Sequence, residues 1–141
     1  MAKWERSAEY LIQLAEQMPG EAYTYKPTER QMSFAEQLVH IHSNMDWLGS
    51  TYLGMDATEK PGPDQSKEEI IALLTQGFAA VGEAVEKTDE ADLSQVVDFF
   101  AGPKTKLQIL NLLQDHVTHH RGQLVVYLNL KQLEPPRYVG W

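Results

Sequence analysis

The chain contains no cysteine. Disulfides and thiolate ligands are therefore excluded, and any metal must be held by histidine and carboxylate side chains. No stretch approaches the roughly 20 consecutive apolar residues of a membrane span. The first residues, Met1-Ala2-Lys3-Trp4-Glu5-Arg6, open an amphipathic run rather than an apolar signal region, which reads as a cytoplasmic protein. Basic charge is scarce as well. Twelve Lys and Arg stand against 20 Asp and Glu, a net charge of −8. The acidic residues are spread along the chain and no basic stripe appears, which opposes binding to a nucleic-acid backbone. Repeats and low-complexity segments are missing too. What remains is a chain of 141 residues, 43% hydrophobic, the size and composition of one soluble globular domain.

Its apolar residues recur with helical spacing. Trp4, Ala8, Leu11, Leu14, Ala15 and Met18 form a first stripe, ended by Pro19-Gly20. Residues 21–32, with Tyr23, Tyr25 and Pro27, have no helical period and read as a packed connecting loop. Ser33-Phe34-Ala35-Glu36 is a capping box and opens a second helix to about Leu53, striped by Phe34, Leu38, Ile41, Met45, Leu48 and Tyr52. Residues 54–65, with Pro61-Gly62-Pro63, read as a loop. Ser66-Lys67-Glu68-Glu69 caps a third helix reaching about Lys87. Thr88 to Asp92 is turn-like, and Leu93 to Phe100 is either an extended segment or a helical turn. After the break at Ala101-Gly102-Pro103, Thr105 and Gln108 cap a last helix to about Leu130. The tail with Leu133, Pro135 and Pro136 cannot be helical and is expected to lie along the bundle. Four amphipathic helices with polar connections predict an all-α four-helix bundle.

The last helix carries the chemistry. His116 and His120 are four residues apart, which places them one above the other on one helix face, with Cβ atoms roughly 5–6 Å apart. Two imidazoles so placed can reach one metal ion. At about 100° per residue they fall within roughly 60° of Ile109, Leu113 and Tyr127, with Leu112, Gln123 and Leu124 widening the stripe. Asn111, Gln114, Thr118 and Arg121 lie behind it, and His119 is on its flank. Both histidines therefore point toward a core, where a lone histidine would ordinarily be only a hydrogen-bonded core residue. Val117 occupies the position of the glutamate in His-Glu-x-x-His, so the zincin peptidase motif is absent.

A third ligand has two candidates on the second helix. His40 lies about 100° from the apolar stripe, beside Gln37, Asn44, Trp47 and Thr51, a half-polar and half-aromatic face of the kind that lines a pocket. His42 lies about 100° to the other side, near Asp46 and Gly49, which looks more like surface. Two residues apart on a helix, they cannot serve one site. Geometry favours His40, and a helix on which neither binds metal also stays open.

Capping Ser33, His40 seven residues later, Trp47 a heptad beyond, and His116-x-x-x-His120-Arg121-Gly122-Gln123 together resemble the DinB/YfiT-like family of small bacterial metalloproteins. The entry Tyr25-Lys26-Pro27-Thr28 and the exit Glu134-Pro135-Pro136 look like that family too, so the resemblance covers nearly the whole chain. It implies a four-helix bundle of up-down-down-up order, often dimeric, with a metal held at His40, His116 and His120. It does not imply a DNA polymerase, although one shares the DinB name. Activities known in the family include thiol-dependent transferases and isomerases.

Three neutral imidazoles leave a fourth position for water or substrate, as in catalytic zinc sites. All-nitrogen ligation suits Zn, Ni, Fe or Cu, with Zn and Ni foremost, and opposes Mg and Ca. Gln123 is the candidate for orienting a ligand, and Asn44, Trp47 and Thr51 are candidates for lining a substrate pocket. No general base is identifiable, since Asp46 and Asp115 point away from the stripe. The expected function is hydrolysis, or transfer of a small thiol to an electrophilic small molecule. The other reading is a non-catalytic metal- or ligand-binding bundle in which the ion ties the second helix to the last. One apolar patch of the last helix remains: Leu110, Val117 and Leu128 lie about 100–120° from His116, and Val125 about 180°. Residues 93–100 or the tail could cover it. A second copy packed on it would make a symmetric homodimer, as the resemblance also suggests.

Overall fold

The computed structural model describes residues 1–58, 61–62 and 64–139. Helix α1 runs over Ala2–Gln17 and stops where Pro19 begins a 3-10 turn, Gly20–Ala22. The following loop is packed, as its composition predicts: buried Tyr23 donates its hydroxyl to Ala15 O at 2.8 Å and meets Phe34 edge-on. Helices α2 (Phe34–Tyr52), α3 (Lys67–Lys87) and the last, α5 (Lys106–Leu130), each open on the expected capping box. At α2, Ser33 N donates to Glu36 Oε2 at 2.6 Å and Glu36 N to Ser33 Oγ at 3.1 Å, so two otherwise free N–H groups are satisfied reciprocally. Pro63, in the loop before α3, lies outside the described residues. Residues 88–105 hold more structure than their sequence signals. A short helix α4 (Glu90–Leu93), capped by the Asp89 side chain, leads into strand β1 (Val96–Val97), which pairs antiparallel with β2 (Lys104–Thr105). The Leu93–Phe100 segment thus contains both the end of a helical turn and an extended piece.

The side-chain pairings fix the topology. Helix α1 runs antiparallel to α3, since Trp4 Nε1 donates to Phe78 O at 2.9 Å while Lys67 Nζ reaches Met18 O at the other end. It runs parallel to α5, because Ser7 meets Gln114 and Tyr10 meets Arg121. Helix α2 is antiparallel to α5, with Gln37 beside Tyr127 and His40 beside His116. The order is up-down-down-up. Each long helix packs on two others, α1 and α2 both lying between α3 and α5.

Because α5 has two neighbours, one narrow stripe does not describe its buried surface. Val117 and Leu128 are fully buried, and Arg121, expected behind the stripe, is buried with its guanidinium 5.0 Å from the Tyr10 ring centroid. The patch expected to seek a second copy is therefore largely covered inside the chain. Leu110 and Val125 are partly buried against the same core, as is Leu133 of the tail. Conversely Leu112, expected to widen the stripe, is 41% exposed. His42 also departs from expectation. It is buried rather than superficial, because Gly77 of α3 has no side chain and α2 closes onto it: a Cβ there would stand 3.0 Å from His42 Cδ2. Among the described residues no helix is long and apolar enough to cross a membrane.

Candidate metal centre

The antiparallel pairing of α2 and α5 brings His40, His116 and His120 together. Nε2 of His40 and Nε2 of His116 are 3.1 Å apart, and one ligand nitrogen from each of the three residues lies within 4.8 Å of the others. The three ring centroids are 4.4–4.8 Å apart. Nitrogens bound tetrahedrally to one ion at 2.0–2.1 Å stand about 3.4 Å apart. The cluster is thus compatible with a metal ion held by three imidazoles.

Protonation favours the same use. His116 and His120 are lowered from an ordinary imidazole value of 6.5 to about 4. Burial is the main cause for both, with the neighbouring histidines opposing further positive charge. At neutral pH both therefore keep a free lone pair, the state a metal requires. His120 is also oriented. Its Nδ1 stands 2.5 Å from Gln37 Oε1, and since that oxygen can only accept, Nδ1 carries the proton and Nε2 is left for a metal. Gln37 is held in turn: its Nε2 donates to Gln123 Oε1 at 2.5 Å, and Gln123 Nε2 reaches His119 Nε2 at 2.8 Å. Tyr127, donating to Met32 O at 2.7 Å, lies 3.4 Å from Gln37 Nε2 and closes the buried side.

The other site candidates are placed as follows. Gln123 hydrogen-bonds Gln37 and His119. Asn44 is one turn from His40 and half-buried. Trp47 is 42% exposed, stacks on Phe99 and lies tilted against Phe100, with ring centroids 6.1 and 6.2 Å away. Thr51 is exposed, about 16 Å along the helix axis from His40. His42 sits on the α3 side with its pKa lowered by burial, apart from the cluster, and His119 is exposed on the rim. Asp46 is engaged elsewhere, its Oδ1 accepting from Thr58 N and Thr58 Oγ1, both at 2.8 Å. Sequence reasoning placed Gln37 only among the neighbours of His40. Its spacing to Gln123 across two helices becomes visible only once their register is known.

An all-α bundle with three histidines gathered from two antiparallel helices defines a class of small helical proteins with a potential metal centre. The DinB family profile matches residues 1–138, and the chain belongs to that family. It is 27% identical over 120 residues to the uncharacterized protein YjoA of Bacillus subtilis, covering 82% of this chain and 78% of that protein. Solved structures agree in fold. The DinB-like protein YjoA of B. subtilis superposes with a TM-score of 0.82 at 22% identity, over 97% of this chain and 95% of that one. A DinB-like protein of Bacillus cereus gives 0.85 at 22% identity, over 96% and 93%. A conserved protein of Enterococcus faecalis gives 0.71 at 18% identity, over 92% of each chain.

Proposed function

We propose that His40, His116 and His120 bind one divalent transition-metal ion, zinc or nickel before iron or copper, and that the protein is a cytoplasmic metal-dependent enzyme. The observation that carries this reading is the meeting of three imidazoles at one point, two of them kept unprotonated by burial. The donor set fits such an ion, being all imidazole nitrogen. Among the described residues the group gathered there offers three ligands, and His40 lies at the surface, so an ion held by them would have room for water or substrate as a fourth ligand. That openness favours catalysis over a purely structural ion, which is closed by a fourth protein ligand. When bound, the ion would supply Lewis acidity and lower the pKa of a water or thiol in the open position. The chain's own residues bind and orient: Gln37 fixes the tautomer of His120, and Gln123 fixes Gln37. The reaction supported best is hydrolysis, or transfer of a low-molecular-weight thiol to an electrophilic small molecule.

Elemental analysis of protein purified without an immobilised-nickel column tests the first half. One equivalent of metal is expected in the wild type and in His42→Ala, with His40→Ala, His116→Ala and His120→Ala each depleted. Metal lost from His42→Ala but kept in His40→Ala would overturn the assignment. Turnover of electrophiles with added thiols or water, compared between loaded protein and the His40→Ala variant, tests the second half.

A further inference from the structure

Two polar atoms beside the cluster are buried without a hydrogen-bond partner, Nδ1 of His116 and Oδ1 of Asn44. Each has what the other lacks. If Nε2 of His116 is to hold a metal, Nδ1 must carry the proton, a donor that then needs an acceptor. Oδ1 of Asn44 is an acceptor without a donor. A buried polar atom left unpaired is costly, so two complementary ones on facing helices are drawn to pair.

The helical frame puts them within reach. Asn44 is seven residues beyond Gln37, about 20° away around α2, and so shares the face by which Gln37 meets α5. His116 is one turn before His120 on α5. Side chains tilt toward the N-terminus of their own helix, and these helices are antiparallel, so Asn44 and His116 lean toward each other. The other orphaned buried atoms do not compete. His42 Nδ1 lies about 200° around α2 from Asn44, Arg6 Nε is a donor on α1, which lies diagonal to α2 and so to Asn44, and Gln65 Oε1 is another acceptor.

We propose that Asn44 is the positioning residue of His116, accepting from its Nδ1–H when the metal binds, as Gln37 does for His120. The two carboxamides on one face of α2 then set the tautomers of both histidines of α5. This rests on the three-histidine metal reading.

The experiment starts with wild-type protein titrated with zinc against a chromophoric chelator. A wild type that takes up no zinc overturns the metal reading itself, and the proposal with it. With binding in hand, Asn44→Ala is expected to bind zinc 10–100-fold more weakly. Asn44→Asp, which keeps an acceptor in place, is expected to return affinity to within a few-fold of wild type or above it. A cooperative heat-denaturation transition is expected of both metal-free variants, as of the wild type. In the zinc-loaded wild type the His116 Nδ1–H proton should be slow to exchange and shifted downfield in NMR spectra, and in Asn44→Ala it should lose both properties. Affinity in Asn44→Ala within threefold of wild type, an Asp variant as weak as the Ala variant, or an unchanged Nδ1–H signal would each overturn the role.

Discussion

Burial sets the protonation of His116 and His120 before any ligand arrives. Unfolded imidazoles titrate near 6.5, whereas these two titrate at about 4 in the folded chain. Between those values the unfolded chain binds more protons than the folded one, so stability is lost as pH falls. The metal-free protein should be at full stability above pH 6.5 and weaken progressively toward pH 4, read as a falling urea midpoint. Replacing both histidines with Gln should flatten most of that slope, leaving the part due to His42, whose pKa is also lowered by burial. An unchanged slope would place the proton uptake elsewhere. Gln37 offers a second test, because Gln37→Leu removes the acceptor of His120 Nδ1–H. Metal affinity measured by chelator competition should drop about 10–100-fold; no change would mean that His120 is oriented by packing alone. At this scale the sequence was informative where one helix sufficed. His116 and His120 share a face through their spacing alone, while the partner of His120 and the burial of His42 against Gly77 depend on helices brought in from elsewhere.

The ends of the elements carry separable stability. Three capping boxes were legible because a Ser or Thr followed by Glu or Gln three residues on is a local signal, and all three form. Ser33→Ala should cost about 1 kcal/mol in chemical denaturation, within a range of about 0.5–2. The end of α5 carried no such signal. Gln132 N donates to Asn129 O at 3.0 Å and Leu133 N to Leu128 O at 2.9 Å, the paired bonds of a Schellman turn, with Gln132 at φ 59° where glycine is the usual occupant. A left-handed backbone at a residue with a Cβ costs about 1 kcal/mol or more. Gln132→Gly is therefore expected to raise stability by about 0.5–1 kcal/mol, the relief being partly offset by glycine's greater freedom in the unfolded chain. A destabilised variant would show that the Gln132 side chain makes a compensating contact. The hairpin of β1 and β2 escaped sequence reasoning for a related reason: with two residues per strand, no alternation can be read.

The molecule as a whole decides what the apolar side chains of α5 are for. The four helices, their order of amphipathic stripes and their caps were readable one at a time, but which helix covers which side of α5 was not. Val117 and Leu128 therefore looked like surplus apolar surface, although the bundle buries both completely. Their burial removes about 1.5–3 kcal/mol of apolar side chain from water at each position. Val117→Glu combined with Leu128→Glu is accordingly expected to unfold the chain rather than separate two copies of it. A carboxylate forced into either of these fully buried positions is taken out of water, and burying a charge is among the few changes that cost more than about 4 kcal/mol. Circular dichroism on the double variant should show lost cooperative melting at every protein concentration. A folded variant that merely scatters light as half the wild-type mass would restore the original interface and contradict the packing. Should the wild type prove dimeric, as we propose from the family resemblance, its interface must then use side chains that the bundle leaves outside, such as Leu112, Val126 and Leu130 on α5. Charges placed at Val126 and Leu130 should dissociate that dimer while leaving the melting transition cooperative.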